Sequence, residues 1–235
     1  MTWSITARCP ETGMLAVAVS TKLMCVGALC PFPQAGVGAV STQSFVNPYI
    51  GIEGLELLAA GLDAPTARDR LADWDDGRAL RQFTVVDRTG AAAAYSGESC
   101  VGWFGHLTGD GYAVAGNMLV GEETIRATAR AYDAAADQPF AERLVRAMEA
   151  GQAAGGDRRG RQSAALKVVH TEDYPLIDLR IDDHPDPVAE LRRLWLLYQH
   201  DLGPVMAMLP TKAHPAGRFD MDDIRAHLPP VANDD

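Results

Sequence analysis

The chain has 235 residues, 47 % of them hydrophobic and 22 % charged, the composition of a globular protein with a core of ordinary size. Its 21 basic residues against 31 acidic ones leave a net charge of −10. That argues against a nucleic-acid partner, whose binding is dominated by phosphate neutralisation, and against an anionic membrane surface. No window approaches the roughly 18 uninterrupted apolar residues of a membrane span.

The first 22 residues organise the reading. With period two, Thr2, Ser4 and Thr6 share one face and Trp3, Ile5 and Ala7 the other. Cys9-Pro10-Glu11-Thr12-Gly13 has turn chemistry, and Met14 to Ser20 is a small-residue and β-branched run suited to a strand buried on both faces. The two runs form a hairpin, with Thr2 opposite Ser20, Thr21 or Lys22. If Met1 is removed, Thr2 carries a free α-amine and a β-hydroxyl on one residue. An α-amine of ordinary pKa, about 7.7–8.0, can take the hydroxyl proton and turn the threonine into a nucleophile. Lys22 would keep that amine neutral and stabilise developing negative charge.

The basic n-region and apolar h-region of an export signal are not seen, and the four cysteines, Cys9, Cys25, Cys30 and Cys100, contain no C-x-x-C pair. Reduced, buried thiols and a cytoplasmic setting are expected.

Met24 to Pro33 reads as an apolar connection broken by prolines, and Gly36 to Gln43 as a third strand, ending in the polar cluster Ser41, Thr42, Gln43, Ser44 and Asn47. If the first three strands are neighbours, that cluster lies near Thr2. Ile52 to Ala60 and Ala64 to Trp74 have helical spacing, with Gly61 as a stop and Asp63 as an N-cap. Leu80 to Val86 and Ala91 to Tyr95 flank a turn and form a second hairpin. A loop-rich stretch, Ser96 to Gly111, holds Cys100, Trp103, Phe104 and His106. A short strand, Tyr112 to Ala115, ends at Gly116-Asn117, and two helices follow over Gly121 to Ala136 and Phe140 to Ala150.

The run from Ala153 to Ser163 contains Gly155, Gly156, Gly160 and the arginines Arg158, Arg159 and Arg161. It can cradle an anionic group or a substrate carboxylate, and Asp157 can equally pair with the arginines to rigidify the loop. It is no Walker loop, lacking Gly-Lys-Ser/Thr. Strands are read over Ser163 to His170 and Ile177 to Ile181, then Asp182-Asp183-His184-Pro185-Asp186-Pro187. Three carboxylates and an imidazole invite a metal reading; the cap reading, Asp186 as N-cap and Pro187 at the first position of helix Val188 to His200, is preferred. That helix carries an apolar face of Leu191, Leu194, Trp195, Leu197 and Tyr198. Beyond it the chain is proline-rich, with one short helical stretch, Met221 to His227, and an end expected to be disordered. The order predicts an α+β domain over 1–203, two mainly antiparallel sheets covered by helix layers, and an extension over 204–235.

Thr-Trp-Ser-Ile-Thr-Ala-Arg with Glu-Thr-Gly, Gly-Val-Gly-Ala-Val-Ser-Thr-Gln, Gly-Asn-Met-Leu, Gly-Gly-Asp-Arg-Arg-Gly-Arg-Gln-Ser-Ala-Ala-Leu and Asp-Leu-Arg-Ile-Asp-Asp-His-Pro-Asp-Pro-Val follow one order between about residues 2 and 200. That order resembles the bacterial family catalogued as domain of unknown function 1028. The resemblance implies the N-terminal-nucleophile (Ntn) hydrolase fold, a four-layer αββα sandwich shared with proteasome subunits and penicillin acylases, and Thr2 at the nucleophile position. It implies no substrate. Where proteasome-like members place an Asp at the end of the second strand, this chain has Ser20-Thr21-Lys22, so its proton-handling network is built differently.

The expected function is that of an amidohydrolase. Thr2, Lys22 and Asn117 are the candidate catalytic residues, with Asn117, Asn47 or backbone N–H groups as oxyanion donors. Ser20, Gln43, Asn47, His106, Asp157 and Arg158 are the candidate substrate contacts. This chemistry needs no metal or organic cofactor, and its partner is a small-molecule or peptide amide. A homodimer through the apolar C-terminal region is also expected, and the alternative to an enzyme is a binding or assembly protein that keeps the fold.

Overall fold

The computed structural model describes residues 2–218. The expected helix at Met221 to His227 and the chain end lie outside them. Two compact units divide the chain, 1–191 and 192–235.

In the first unit, β1 (Thr2–Arg8) and β2 (Leu15–Thr21) form the expected hairpin, and Gly13 takes the left-handed conformation its turn requires (φ 74°). β1 is central in a six-stranded sheet ordered β10-β9-β2-β1-β8-β7, formed with β7 (Trp103–Gly109), β8 (Tyr112–Leu119), β9 (Ser163–Val169) and β10 (Ile177–Ile181). A four-stranded sheet, β3-β4-β5-β6, lies against it, made of β3 (Pro31–Gln34), β4 (Gly38–Ser44), β5 (Arg81–Asp87) and β6 (Ala92–Ser96). Every strand pair is antiparallel.

Helices α2 (Pro48–Ala59) and α3 (Ala64–Trp74) cover the outer face of the smaller sheet; α4 (Glu123–Ala134) and α5 (Phe140–Ala153) cover the larger. A one-turn helix, α1 (Val26–Leu29), leads into β3. The layering is the expected αββα sandwich. α2 begins earlier than its spacing suggested because Asn47 accepts from Tyr49 N and Pro48 fills the first helical position. Asp63 caps α3 as expected, accepting from Thr66 N.

Three expectations are corrected. The apolar connection after Met24 contains a strand, β3, at the edge of its sheet, where prolines cost no ladder bond. The loop-rich stretch after Ser96 contains β7, the edge strand of the larger sheet. The third expected strand, here β4, does not pair with the first hairpin; it faces β1 from the opposite sheet.

The apolar layers lie under the helices. Val40, Ile50, Leu58, Leu71, Phe83 and Val85 form the core beneath α2 and α3, and Phe83 stacks on Tyr95 at 5.2 Å. On the other side the Tyr112 ring of β8 meets Tyr132 of α4 at 4.9 Å. The layer between the sheets is different: it is apolar at the β2 start, around Leu15, Val17, Ala39 and Val169, and polar at the Thr2 end.

Helix α6 (Pro187–His200) starts where expected, with Asp186 Oδ1 accepting from Ala189 N and Pro187 opening the first turn. The second unit carries its remainder, α7 (Leu202–Met206), and a turn in which Thr211 and His214 exchange backbone hydrogen bonds. Leu191 in the first unit and Trp195 and Tyr198 in the second are buried, and Trp195 stacks on Tyr198 at 5.8 Å, whereas Leu196, Leu197 and Leu202 are exposed. Among the described residues, no helix is long and apolar enough to cross a membrane.

Candidate active site at the start of the central strand

Thr2 pairs with Thr21 on one side and Asn117 on the other. Alternation along β1 turns Thr2, Ser4 and Thr6 into the layer between the sheets and Trp3, Ile5 and Ala7 toward α4 and α5. The inward face is wired to the opposite sheet: Ser4 Oγ donates to Gln43 Oε1 (2.7 Å), Ser41 Oγ donates to Ser4 Oγ (3.1 Å), and the Thr6 and Thr84 hydroxyls share a 2.7 Å bond. Thr2 itself is 6 % exposed, and its Oγ1 donates to Thr21 Oγ1 at 3.1 Å.

Two amides hold the backbone of Thr2, and a third holds those two. The Thr2 carbonyl accepts from Gln43 Nε2 (3.3 Å) and Asn117 Nδ2 (3.4 Å). Both of those amides also donate to Gln82 Oε1, at 2.8 and 2.9 Å. Gln82 Nε2 reaches Ser96 Oγ (2.7 Å) and the carbonyls of Gly116 (2.9 Å) and Gly105 (3.1 Å). Ser96 Oγ in turn bonds His106 Nδ1 at 2.9 Å. Desolvation, then the charge of Arg68, pushes the His106 imidazole below its ordinary pKa. Gln82 was not among the residues expected from sequence, whereas Thr21 is one of the three expected opposite Thr2. A glutamine alternating with Phe83 and Val85 on a strand reads like a solvent-facing residue until a second sheet covers it.

The Gly-rich loop belongs to this end of the sheet. Arg158 N donates to Met118 O on the β8 side, Leu119 forms a bridge with Asp157, and Gln162 N donates to Thr21 O on the β2 side. Residues 157–162 therefore strap across the start of β1. Asp157, its side chain 1 % exposed, pins the strap by accepting from Lys22 N (2.7 Å), Arg159 N (2.8 Å) and the Arg159 guanidinium (3.1 Å). It is a structural clamp with its oxygens engaged. Lys22 Nζ donates to Arg161 O at 3.2 Å.

The remaining expected contacts fall elsewhere. Ser20 pairs with Trp3, so it shares Trp3's side of the sheet and not Thr2's, and its hydroxyl donates to Ser163 O. Asn47 caps α2 and donates to Asp75 Oδ2 at 3.1 Å. Asn117 spends its amide on Thr2 O and Gln82, so it holds the strand start in place. Asp183 accepts from Gln162 Nε2, His184 Nδ1 accepts from Asp186 N, and Asp186 pairs with Arg161 at 2.7 Å. Among the described residues, no group of three or more His, Cys, Asp and Glu side chains could hold a metal ion. The four cysteines are free thiols, and burial pushes Cys30 up to about 12.

Backbone strain gathers at the same end. The described non-glycine residues with positive φ are Cys25 (59°), Ser44 (71°) and Met118 (50°). Met118 is the extra residue of a β-bulge: Trp103 pairs with Leu119 and Phe104 with Asn117, leaving Met118 unopposed beside the partner of Thr2. Bulges and left-handed non-glycine residues cost energy and gather where a site needs a particular shape. Leu23, Met24, Phe45, Val101 and Val120, all more than half exposed, stand on the connections leaving these strand ends.

The model of a family of unknown function, DUF1028, matches residues 2–191. The chain belongs to this family. A solved family member, protein SPO2555 from Silicibacter pomeroyi, is 31 % identical, with a TM-score of 0.87 over 93 % of this chain and 96 % of that one. Anbu (ancestral beta-subunit) from Yersinia bercovieri aligns over 89 % of this chain and 98 % of that one, at 14 % identity and a TM-score of 0.39. No curated protein matches. Family membership thus fixes the fold of this chain and names no reaction.

Proposed function

We propose that the protein is an N-terminal-nucleophile amidohydrolase that cleaves a C–N amide bond, with Thr2 as nucleophile after removal of Met1. The observation that carries this reading is the setting of Thr2. A hydroxyl-bearing residue opens the central strand, its carbonyl is held by two amides, and it is buried in a polar layer between the sheets. The freed amine takes the Oγ1 proton directly or through a water, and Oγ1 attacks the amide carbonyl. The C–N bond breaks, and the leaving amine departs with the proton. Water then adds to the resulting ester, releasing the carboxylic acid and restoring the hydroxyl. Backbone N–H groups support the oxyanion, while Lys22 donates its Nζ to Arg161 O and braces the strap. Gln43, Gln82 and Asn117 are positioning residues.

Residues 1–203 carry the reaction, and 204–235 form an extension. The exposed Leu196, Leu197 and Leu202 support assembly as a homodimer, and the free thiols suit a cytoplasmic setting.

The test is intact-mass spectrometry of untagged protein, followed by an acylating probe and peptide mapping. The expected result is a mass lacking one methionine and an adduct on Thr2. That adduct is lost in Thr2→Ala, kept in Thr2→Ser, and forms faster as pH rises through about 7.7–8.0, where an α-amine loses its proton. A retained Met1 with no adduct overturns the reading and leaves a binding protein on this fold.

A further inference from the structure

The strap over Thr2 divides its arginines by what they do. Arg159 is spent on Asp157 and Arg161 on Asp186. Arg158 lies between the two members of the first pair, exposed, and among the described residues its guanidinium has no ion-pair or hydrogen-bond partner. Its backbone is fixed all the same, since its N–H donates to Met118 O, one residue past the Asn117 that pairs with Thr2. With strands about 4.8 Å apart and residues about 3.3 Å apart along them, the Arg158 backbone stands roughly 10 Å from Thr2. That is within reach of one extended arginine side chain and a small substrate.

An uncompensated guanidinium is unexpected on a protein with a net charge of −10. The carboxylates of Asp183 and Asp186 meet the other end of the strap, on Gln162 and Arg161, and Arg158 sits at the end anchored on β8. The strap is held in shape by Asp157 and rests at its base on Trp3, whose ring would lie 3.1 Å from a Cβ placed on Gly156. Arg158 is therefore presented by a pinned segment, with its planar fork free to bind a carboxylate through two parallel hydrogen bonds.

We infer that Arg158 is the specificity-determining residue of the Thr2 site and that the substrate is an amide bearing a carboxylate a few bonds from the scissile bond, in the manner of an N-acyl amino acid or a peptide end. This rests on the nucleophile reading above. It adds the substrate class, with apolar substituents meeting the Leu23, Met24, Val101 and Val120 rim.

The experiment compares two acylating probes of similar length on protein lacking Met1: the mono-4-nitrophenyl ester of trans-cyclohexane-1,4-dicarboxylic acid, whose free carboxylate cannot reach its own ester, and the corresponding methyl ester, which carries no charge. Each transfers its acyl group to Thr2 and releases 4-nitrophenolate, so the rate is read optically and the adduct by peptide mapping. The carboxylate probe is expected to react about tenfold faster, as a charge-assisted arginine–carboxylate pair provides, with the advantage shrinking in high salt. The ratio of the two rates falls to about one in Arg158→Ala, is partly restored in Arg158→Lys and drops below one in Arg158→Glu. Equal rates in the wild type, or an unchanged ratio in Arg158→Ala, overturn the substrate class while labelling of Thr2 by both probes leaves the nucleophile standing. Absence of any Thr2 adduct with either probe overturns both.

Discussion

The two faces of β1 are buried alike and built of opposite chemistry. Trp3, Ile5 and Ala7 are fully buried against the helical layer, while Thr2, Ser4 and Thr6, no more than 6 % exposed, spend their hydroxyls on the other strands. Apolar packing is non-directional and tolerates small displacements, whereas each buried hydroxyl or amide must meet its partner at a set distance or pay for desolvation unpaired. The Trp3 face therefore holds the strand in the protein, and the Thr2 face fixes where along and across the sandwich its first residue sits.

The comparison is open to direct attack, and the largest effect belongs to the apolar face. Trp3→Ala empties a fully buried site under α5 and the strap, and is expected to cost about 3–5 kcal/mol in urea unfolding. Gln82→Leu is expected to cost less, about 2–3 kcal/mol, by orphaning the amide groups of Gln43 and Asn117. It should slow Thr2 labelling by a larger factor than its loss of stability implies; a labelling rate unaltered in folded Gln82→Leu would show that the network is only structural.

Acid probes bonds away from both faces of β1, at the two ends of α3, where two buried carboxylates are held ionised. Burial alone would raise the pKa of Asp75, but Arg81, Asn47 and Gly77 N more than offset it and hold the carboxyl below its ordinary value. Burial also opposes the ionised Asp87, and Thr89, Ala64 and Ala91 prevail in the same way. Both folded values lie below the unfolded one, so their stabilisation is present above about pH 4 and is lost as pH falls through the folded values. Unfolding curves between pH 7 and pH 3 should show stability declining at the acid end. Asp75→Asn should be weaker at pH 7 and show a shallower acid limb. The smallest effect is expected for Thr6→Val, an isosteric loss of the hydroxyl bond to Thr84 worth about 1 kcal/mol.

Much of the fold was legible because its signals are local. Period-two alternation placed β1 and β2, Asp63 and Asp186 announced helix starts, and the ordered motifs pointed to the family. Thr2 was legible as a candidate for the same reason, since amine and hydroxyl sit on one residue. The partners of Thr2 were not, because Gln43, Gln82 and Asn117 come from three strands and two sheets. A buried polar alternation such as Gln82-Phe83-Thr84-Val85 has the same pattern as a half-exposed strand. β3 and β7 escaped notice as edge strands, one broken by prolines and the other glycine-containing and aromatic, without the β-branched runs that mark a sheet interior. Ser20 and Asn47 were drawn into the expected site by polarity alone; side-of-sheet parity in one case and a helix cap in the other explain them.

The hydrogen bonds around Thr2 span long stretches of chain. Asn117 reaches its carbonyl across 115 residues, Asp157 reaches Lys22 across 135, and Ser20 reaches Ser163 across 143. Contacts of such separation form late in folding, after the entropy of closing the intervening chain has been met. A nascent chain that has made only its first hairpin already owns the threonine, yet none of the groups that orient it. On the proposed nucleophile reading, competence at this position is a timer: it is reached when residue 163 is in place, and partly folded chains stay chemically silent.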